Sequence, residues 1–282
     1  MNLKQYGVSP NMEKEVSYRF IAHLTGLLLA FESMLLLACC CVSMIYGERD
    51  LMSFVISFAV CLSVSAILLI YGRRKKCAMS RNEGYIVVAL SWVFFSVFGM
   101  VPYLWGGFIP NITDAFFETM SGFTTTGATI LDNIESMPHG ILFWRSLTQW
   151  IGGLGIVCFT IVLLPGFGAS SQMLYLSEAT GVTHNKLYPK TRVMARYIFM
   201  VYILLTAIES ALLMAGGMGL FDALCHSMTT TATGGFSTKQ ESIAYWHSPY
   251  MEYVVSIFML LSAINFSLYI VAFKSKWKKL RE

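Results

Sequence analysis

Charge is scarce in this sequence: Asp, Glu, Lys and Arg make up 13% of its 282 residues, against 56% apolar residues and a mean hydropathy of +0.60. A soluble domain carries about a quarter charged residues, so this composition excludes an ordinary soluble fold. The charges that exist are bunched between long apolar runs, the pattern of a polytopic membrane protein in which each crossing needs roughly 20 apolar residues. Paired cysteines are missing as well. The seven cysteines include no CxxC motif, and Cys39, Cys40, Cys41, Cys61 and Cys158 sit inside apolar runs, where a thiol behaves as a small hydrophobe. Neither a nucleophile–base set nor a metal-ligand cluster appears, which argues against an enzyme and leads us to expect no cofactor. A short apolar core followed by a small-residue cleavage site is absent from the N-terminus, so no removed leader is expected.

Six apolar runs fit crossings: Phe20 to Tyr46, Leu51 to Tyr71, Gly84 to Leu104, Ile141 to Leu164, Val193 to Met214 and Pro249 to Phe273. Two further segments, Asn111 to Ile130 and Leu220 to Thr238, are rich in Thr and Gly and too short to cross. With a cytoplasmic N-terminus, 17 of the 20 Lys and Arg residues fall in inside loops or tails, leaving Arg49, Arg145 and Lys239 outside or near the outer face. The positive-inside rule therefore selects one topology, with both termini cytoplasmic and both short segments entering from the outer side. The expected localisation is a bacterial cytoplasmic membrane.

An internal repeat organises the chain. Asp114 to Met120 resembles Asp222 to Met228 at an offset of 108 residues, and the same offset pairs Thr125 with Thr233 and Gly127 with Gly235. The unit is crossing, short segment, crossing, and it occurs twice. The expected fold is thus all-α and integral to the membrane, with six transmembrane helices and two reentrant pore loops. Its parts are residues 1–76 as a cytoplasmic N-terminus with an extra helix pair, 84–165 as the first repeat, 166–191 as a cytoplasmic linker, and 192–282 as the second repeat with a basic tail.

Each short segment reads as a half-helix followed by an extended strand. Asp114 and Asp222 suit helix N-termini, where a carboxylate caps free amides and meets the positive dipole end. The helices are expected to stop near Gly122 and Thr230. Non-helical backbone at membrane depth is tolerated only inside protein or along a water-filled path, so two matched loops imply a pore. The chemistry fits a dehydrated potassium ion, which needs a ring of oxygens and obtains it from backbone carbonyls. Glycine reaches the required dihedrals cheaply. The expected filter residues are Thr125, Thr126 and Gly127 in the first loop, and Thr233, Gly234 and Gly235 in the second.

The stretches DAFFETMSGFTTTGAT (Asp114 to Thr129), FWRSLTQWIGGLGI (Phe143 to Ile156) and SMTTTATGGFST (Ser227 to Thr238) resemble the Trk/Ktr/HKT superfamily of potassium transporters, in its TrkH-like branch. The resemblance implies potassium as substrate, a homodimer with one pore per protomer in membrane lipid, a cytosolic TrkA-type nucleotide-binding ring as regulator, and no nucleic acid. Family members carry four repeats and this chain has two. It is therefore expected to be a truncated form, or a half-transporter that closes a filter with a second chain. Sodium permeation or cation-coupled symport on the same scaffold, and a non-conducting membrane fragment, are the alternatives; loss of a filter glycine favours sodium in some relatives, and Gly127 and Gly235 are both present.

Other residues have two readings each. Glu32 and Glu209 lie in apolar crossings, as proton-coupling groups or as carboxylates reaching an interface or partner helix. Glu118 and His226 occupy equivalent places in the half-helices, as filter contacts or as packing. Arg145 braces the pore hairpin or snorkels at the interface. Gly152, Gly153 and Gly155 allow close helix contact or a bend facing the pore.

Overall fold

The computed structural model describes residues 17–72, 81–155 and 191–264, together with 266 and 269. Nine α-helices run through these residues, and no strand occurs among them. The N-terminal pair is α1 (Tyr18–Tyr46) and α2 (Leu51–Tyr71). In the first repeat, α3 (Arg81–Gly99) and α4 (Val101–Trp105) lead to the short α5 (Ile112–Phe123), which a loop joins to α6 (His139–Gly153). The second repeat consists of α7 (Thr191–Ala215), the short α8 (Leu220–Thr231) and α9 (Pro249–Ala263). The expected linker and basic tail lie outside the described residues, as does the second half of the fourth expected crossing.

Four segments are long and apolar enough to cross a bilayer: Tyr18–Tyr46, Leu51–Tyr71, Glu83–Trp105 and Arg196–Ala215. The third is interrupted at Met100, because Pro102 has no N–H to offer the carbonyl one turn back. Tyr103 and Leu104 bond to the Met100 carbonyl instead, at 3.1 and 3.2 Å, so the chain resumes almost at once.

The pair α1–α2 packs through small residues. Ser65 donates to the Gly26 carbonyl at 2.7 Å and the Cys61 thiol reaches the Leu29 carbonyl at 3.3 Å. Gly47 closes α1 in a left-handed cap at φ +65°, its N–H bonding Ser43. The turn that follows clasps α6: Glu48 pairs with His139 at 2.8 Å, and the His139 ring stacks on Tyr46 with centroids 3.9 Å apart. One apolar core joins the N-terminal pair to the first repeat, and a smaller one lies among α7, α8 and α9 around Leu213, Ala223 and Met251.

Candidate functional site

The two short helices have the same length and the same 108-residue offset, with first-turn acids Asp114 and Asp222. Those acids sit inside the first turn and do not cap it. The N-cap of α5 is Asn111, whose side chain accepts from Thr113 N–H at 2.9 Å; the N-cap of α8 is Gly219, and Asp222 accepts from the Thr238 hydroxyl at 2.6 Å. Each helix ends one residue later than expected, at Phe123 and Thr231.

Beyond the helix ends the backbone repeats bond for bond. Thr125 N–H donates to Gly122 at 3.0 Å and Thr126 N–H to Ser121 at 3.0 Å; Thr233 N–H donates to Thr230 at 2.9 Å and Gly234 N–H to Thr229 at 2.9 Å. Thr125 (φ +54°) and Gly127 (φ +75°) are left-handed while Thr126 is not. Thr233 (φ +55°) and Gly235 (φ +88°) are left-handed while Gly234 is not. Alternation of handedness turns successive peptide groups toward one side of the chain, which neither a helix nor a flat strand does. A left-handed threonine costs about 1–2 kcal/mol, and it occurs at the same place in both repeats.

The two strands touch. A Cβ on Gly127 would overlap the Gly234 carbonyl oxygen, and one on Gly234 would overlap the Gln149 side chain. Behind them, α6 acts as a post between the repeats. Arg145 donates through Nε to Glu118 at 2.8 Å, through Nη2 to Thr129 at 3.1 Å and through Nη1 to the Ser237 carbonyl at 3.1 Å, with its guanidinium 4.3 Å from the Phe236 ring centroid. Arg145 and Glu118 are 1% and 0% exposed, so Arg145 braces the loops and does not snorkel. Gln149, one turn on, accepts from Phe236 N–H at 3.0 Å. Gly152 lets α6 meet the Phe123 backbone and Gly153 lets it meet Ala232.

Glu118 and His226 also hold equivalent contacts. Glu118 accepts from the Thr129 hydroxyl at 2.9 Å, and Thr129 accepts from Leu131 N–H at 3.2 Å. His226 lies 3.0 Å from the Ser237 hydroxyl, which accepts from Lys239 N–H at 2.9 Å. Sequence reasoning missed Gln149, Thr129 and Ser237. The offset pairs the two hydroxyl residues, and Gln149 stands four residues after Arg145 on the same helix face.

Residues 50–282 match the TrkH family, described as cation transport proteins. This chain belongs to the TrkH family. Trk system potassium uptake protein TrkH of Salmonella typhimurium is 38% identical over 255 residues, which are 89% of this chain and 53% of that protein. TrkG of Escherichia coli (strain K12), a Trk system potassium uptake protein, is 35% identical over 261 residues, covering 92% of this chain and 54% of its own. The crystal structure of the potassium transporter TrkH from Vibrio parahaemolyticus superposes with a TM-score of 0.77 at 36% identity, over 92% of this chain and 52% of that one. The chain spans about half the length of the curated relatives it matches. With this family and four apolar spans, it is a membrane-embedded helical protein.

Two acids of this TrkH-family chain stand apart from the strands. Glu32 on α1 is fully buried, with the Cys61 thiol 3.9 Å from Oε2 and no partner for Oε1. Glu209 on α7 is fully buried with no hydrogen bond to either oxygen. Both face protein and not an interface.

A third acid links the loops after the two strands. Glu135 accepts from Gln240 N–H at 2.9 Å, while Gln240 accepts from Ile134 N–H at 3.2 Å. The Gln240 amide, then Glu135's own amide and the Lys239 charge, hold this carboxyl below the usual range. A depressed pKa gives stability that is complete above the unfolded value of about 4.3 and is lost as pH falls through the folded value. Glu135→Gln is therefore expected to unfold slightly earlier than wild type at pH 6, by under about 1 kcal/mol for so exposed a group. Melting curves of the two proteins should converge below about pH 4; a gap that persists there would refute the charge-based account.

Proposed function

We propose that this chain forms part of a potassium-uptake pathway in a bacterial cytoplasmic membrane, with the carbonyls of Thr125, Thr126, Gly127, Thr233, Gly234 and Gly235 contributing to its selectivity filter. The observation that carries this reading is the doubled strand geometry, left-handed at Thr125 and Gly127 and again at Thr233 and Gly235. Uncharged carbonyls replace the hydration shell of a weakly hydrated monovalent cation. The C-terminal, negative ends of α5 and α8 precede the strands and favour a cation there. Relatives named as potassium uptake proteins support the choice of ion.

In this reading α5 and α8 are reentrant half-helices, six helices cross the membrane, and both termini are cytoplasmic. The strands are neighbours and open on one side, with Thr124, Thr126, Thr233 and Gly235 exposed. They thus supply adjacent parts of a ring whose remaining oxygens come from further repeats or a second chain. A homodimer and a cytosolic TrkA-type ring belong to the same reading as family-implied partners. The chain acts as a transporter, not an enzyme.

The test is growth on limiting potassium of a bacterium that lacks its own uptake systems. The chain is expressed alone and together with the C-terminal half of a matching relative, beside Gly127→Ser. Rescue in either arm, abolished by Gly127→Ser at equal membrane abundance, is the expected result. Failure of both arms with protein confirmed in the membrane would reject the reading.

A further inference from the structure

The seams behind the two strands are built differently. At the 108-residue offset, Phe98 and Val101 of the first repeat correspond to Thr206 and Glu209 of the second, while Gly122 and Phe123 correspond to Thr230 and Thr231. Behind the first strand the seam is aromatic: Phe123 is fully buried, edge-on to Phe95 at 5.2 Å and to Trp144 at 6.1 Å between centroids. Behind the second it is polar. The Thr206 hydroxyl accepts from Trp150 Nε1 at 3.1 Å and lies 3.2 Å from the Thr231 hydroxyl.

One turn further along α7 stands Glu209, 0% exposed. Its polar neighbour is the Thr230 side chain, close by but outside hydrogen-bond geometry. A buried polar group without a partner costs free energy that packing alone does not return, and an ionisable group inside a membrane protein is a functional candidate by default. Position supplies the rest. The Thr230 carbonyl receives the N–H of Thr233, the left-handed residue that starts the strand, and the Thr229 carbonyl receives that of Gly234.

We propose that Glu209 is a positioning residue for the second strand, acting through Thr230 on the turn from which Thr233, Gly234 and Gly235 leave α8. The first strand is held by rigid aromatic packing; the second is held by a polar contact that can tighten or loosen. The strands are therefore unequal in mobility although their backbones match. The mobility claim stands on the seam alone; only its consequence for ion selectivity rests on the potassium reading above.

Hydrogen exchange of the purified full chain in lipid nanodiscs tests it. Glu209→Val, which installs the residue of the first repeat, is expected to speed exchange in peptides covering Thr230 to Gly235 by about tenfold. Peptides covering Gly122 to Gly127 should stay within about twofold of wild type. Glu209→Gln keeps a polar group facing Thr230 and should exchange as wild type does. Thr230→Ala removes the other side of the contact and serves if Glu209→Val fails to accumulate. In cells where wild type restores uptake, Glu209→Val should lose about fivefold in rubidium-over-sodium discrimination while Glu209→Gln keeps it. Unchanged exchange in the second strand, equal acceleration in both strands, or Glu209→Gln behaving like Glu209→Val would each overturn the proposal. A wild type that carries no rubidium would overturn the potassium reading, and the exchange data would still decide the role of Glu209.

Discussion

Arg145→Leu is expected to destabilise the protein by about 3–5 kcal/mol, because it strands the buried Glu118 carboxylate without its cation. The guanidinium spans both repeats: its contacts at 2.8 to 3.1 Å reach Glu118 and Thr129 of the first and the Ser237 carbonyl of the second. One substitution therefore unfastens both loops. Arg145→Lys should recover only part of the loss, since a single ammonium lacks the planar fork that serves three acceptors and stacks on Phe236. Removing the stranded charge as well, in Arg145→Leu with Glu118→Gln, should cost less than the sum of the single changes. Unfolding of detergent-solubilised protein, followed by tryptophan fluorescence, reads all four variants. A loss under about 1 kcal/mol for Arg145→Leu would mean that the pair contributes no more than a surface salt bridge.

The second large effect is expected at Gly127. Its φ of +75° disfavours any side chain, and a Cβ there would overlap the carbonyl oxygen of Gly234 on the neighbouring strand. Gly127→Ala must therefore deform both strands at once. Gly235 shares the left-handed backbone at φ +88°, but a Cβ at that position meets nothing within 4 Å. Gly235→Ala carries only the conformational cost of about 1–2 kcal/mol. Rubidium uptake in the growth-rescue strain should fall at least about tenfold for Gly127→Ala and clearly less for Gly235→Ala, at equal membrane abundance. Equal losses would show that backbone conformation, and not contact between strands, limits conduction.

Legibility varied along the chain for reasons visible in single residues. The bounds of α1 and α2 followed directly from apolar runs ending at Gly47 and Asp50, since length and polarity alone set a bilayer-spanning helix. The doubled strands were equally plain, because threonine and glycine recur at one offset and glycine marks left-handed backbone. Capping was harder. Asp114 and Asp222 read as caps, yet Asn111 and Gly219 hold those positions; an acid is equally welcome anywhere in the first turn, so composition cannot choose among neighbouring positions. Arg145 admitted two readings of opposite exposure, and only the packing of α6 between the repeats resolved them. Gln149 escaped notice because an amide facing a backbone N–H 87 residues away leaves no local trace.

The sequence by itself determined that this is a helical membrane protein with two copies of one pore-loop unit and an added N-terminal pair. Those properties depend on apolar length, charge placement and recurrence, all of which are written along the chain. Tertiary structure alone decided that the two strands touch through Gly127 and Gly234, that Arg145 fastens both loops, and that an aromatic seam backs one strand while a polar seam with Glu209 backs the other. Each of these is a meeting of side chains distant in sequence. Such contacts are set by how helices pack against one another, a property no segment carries alone.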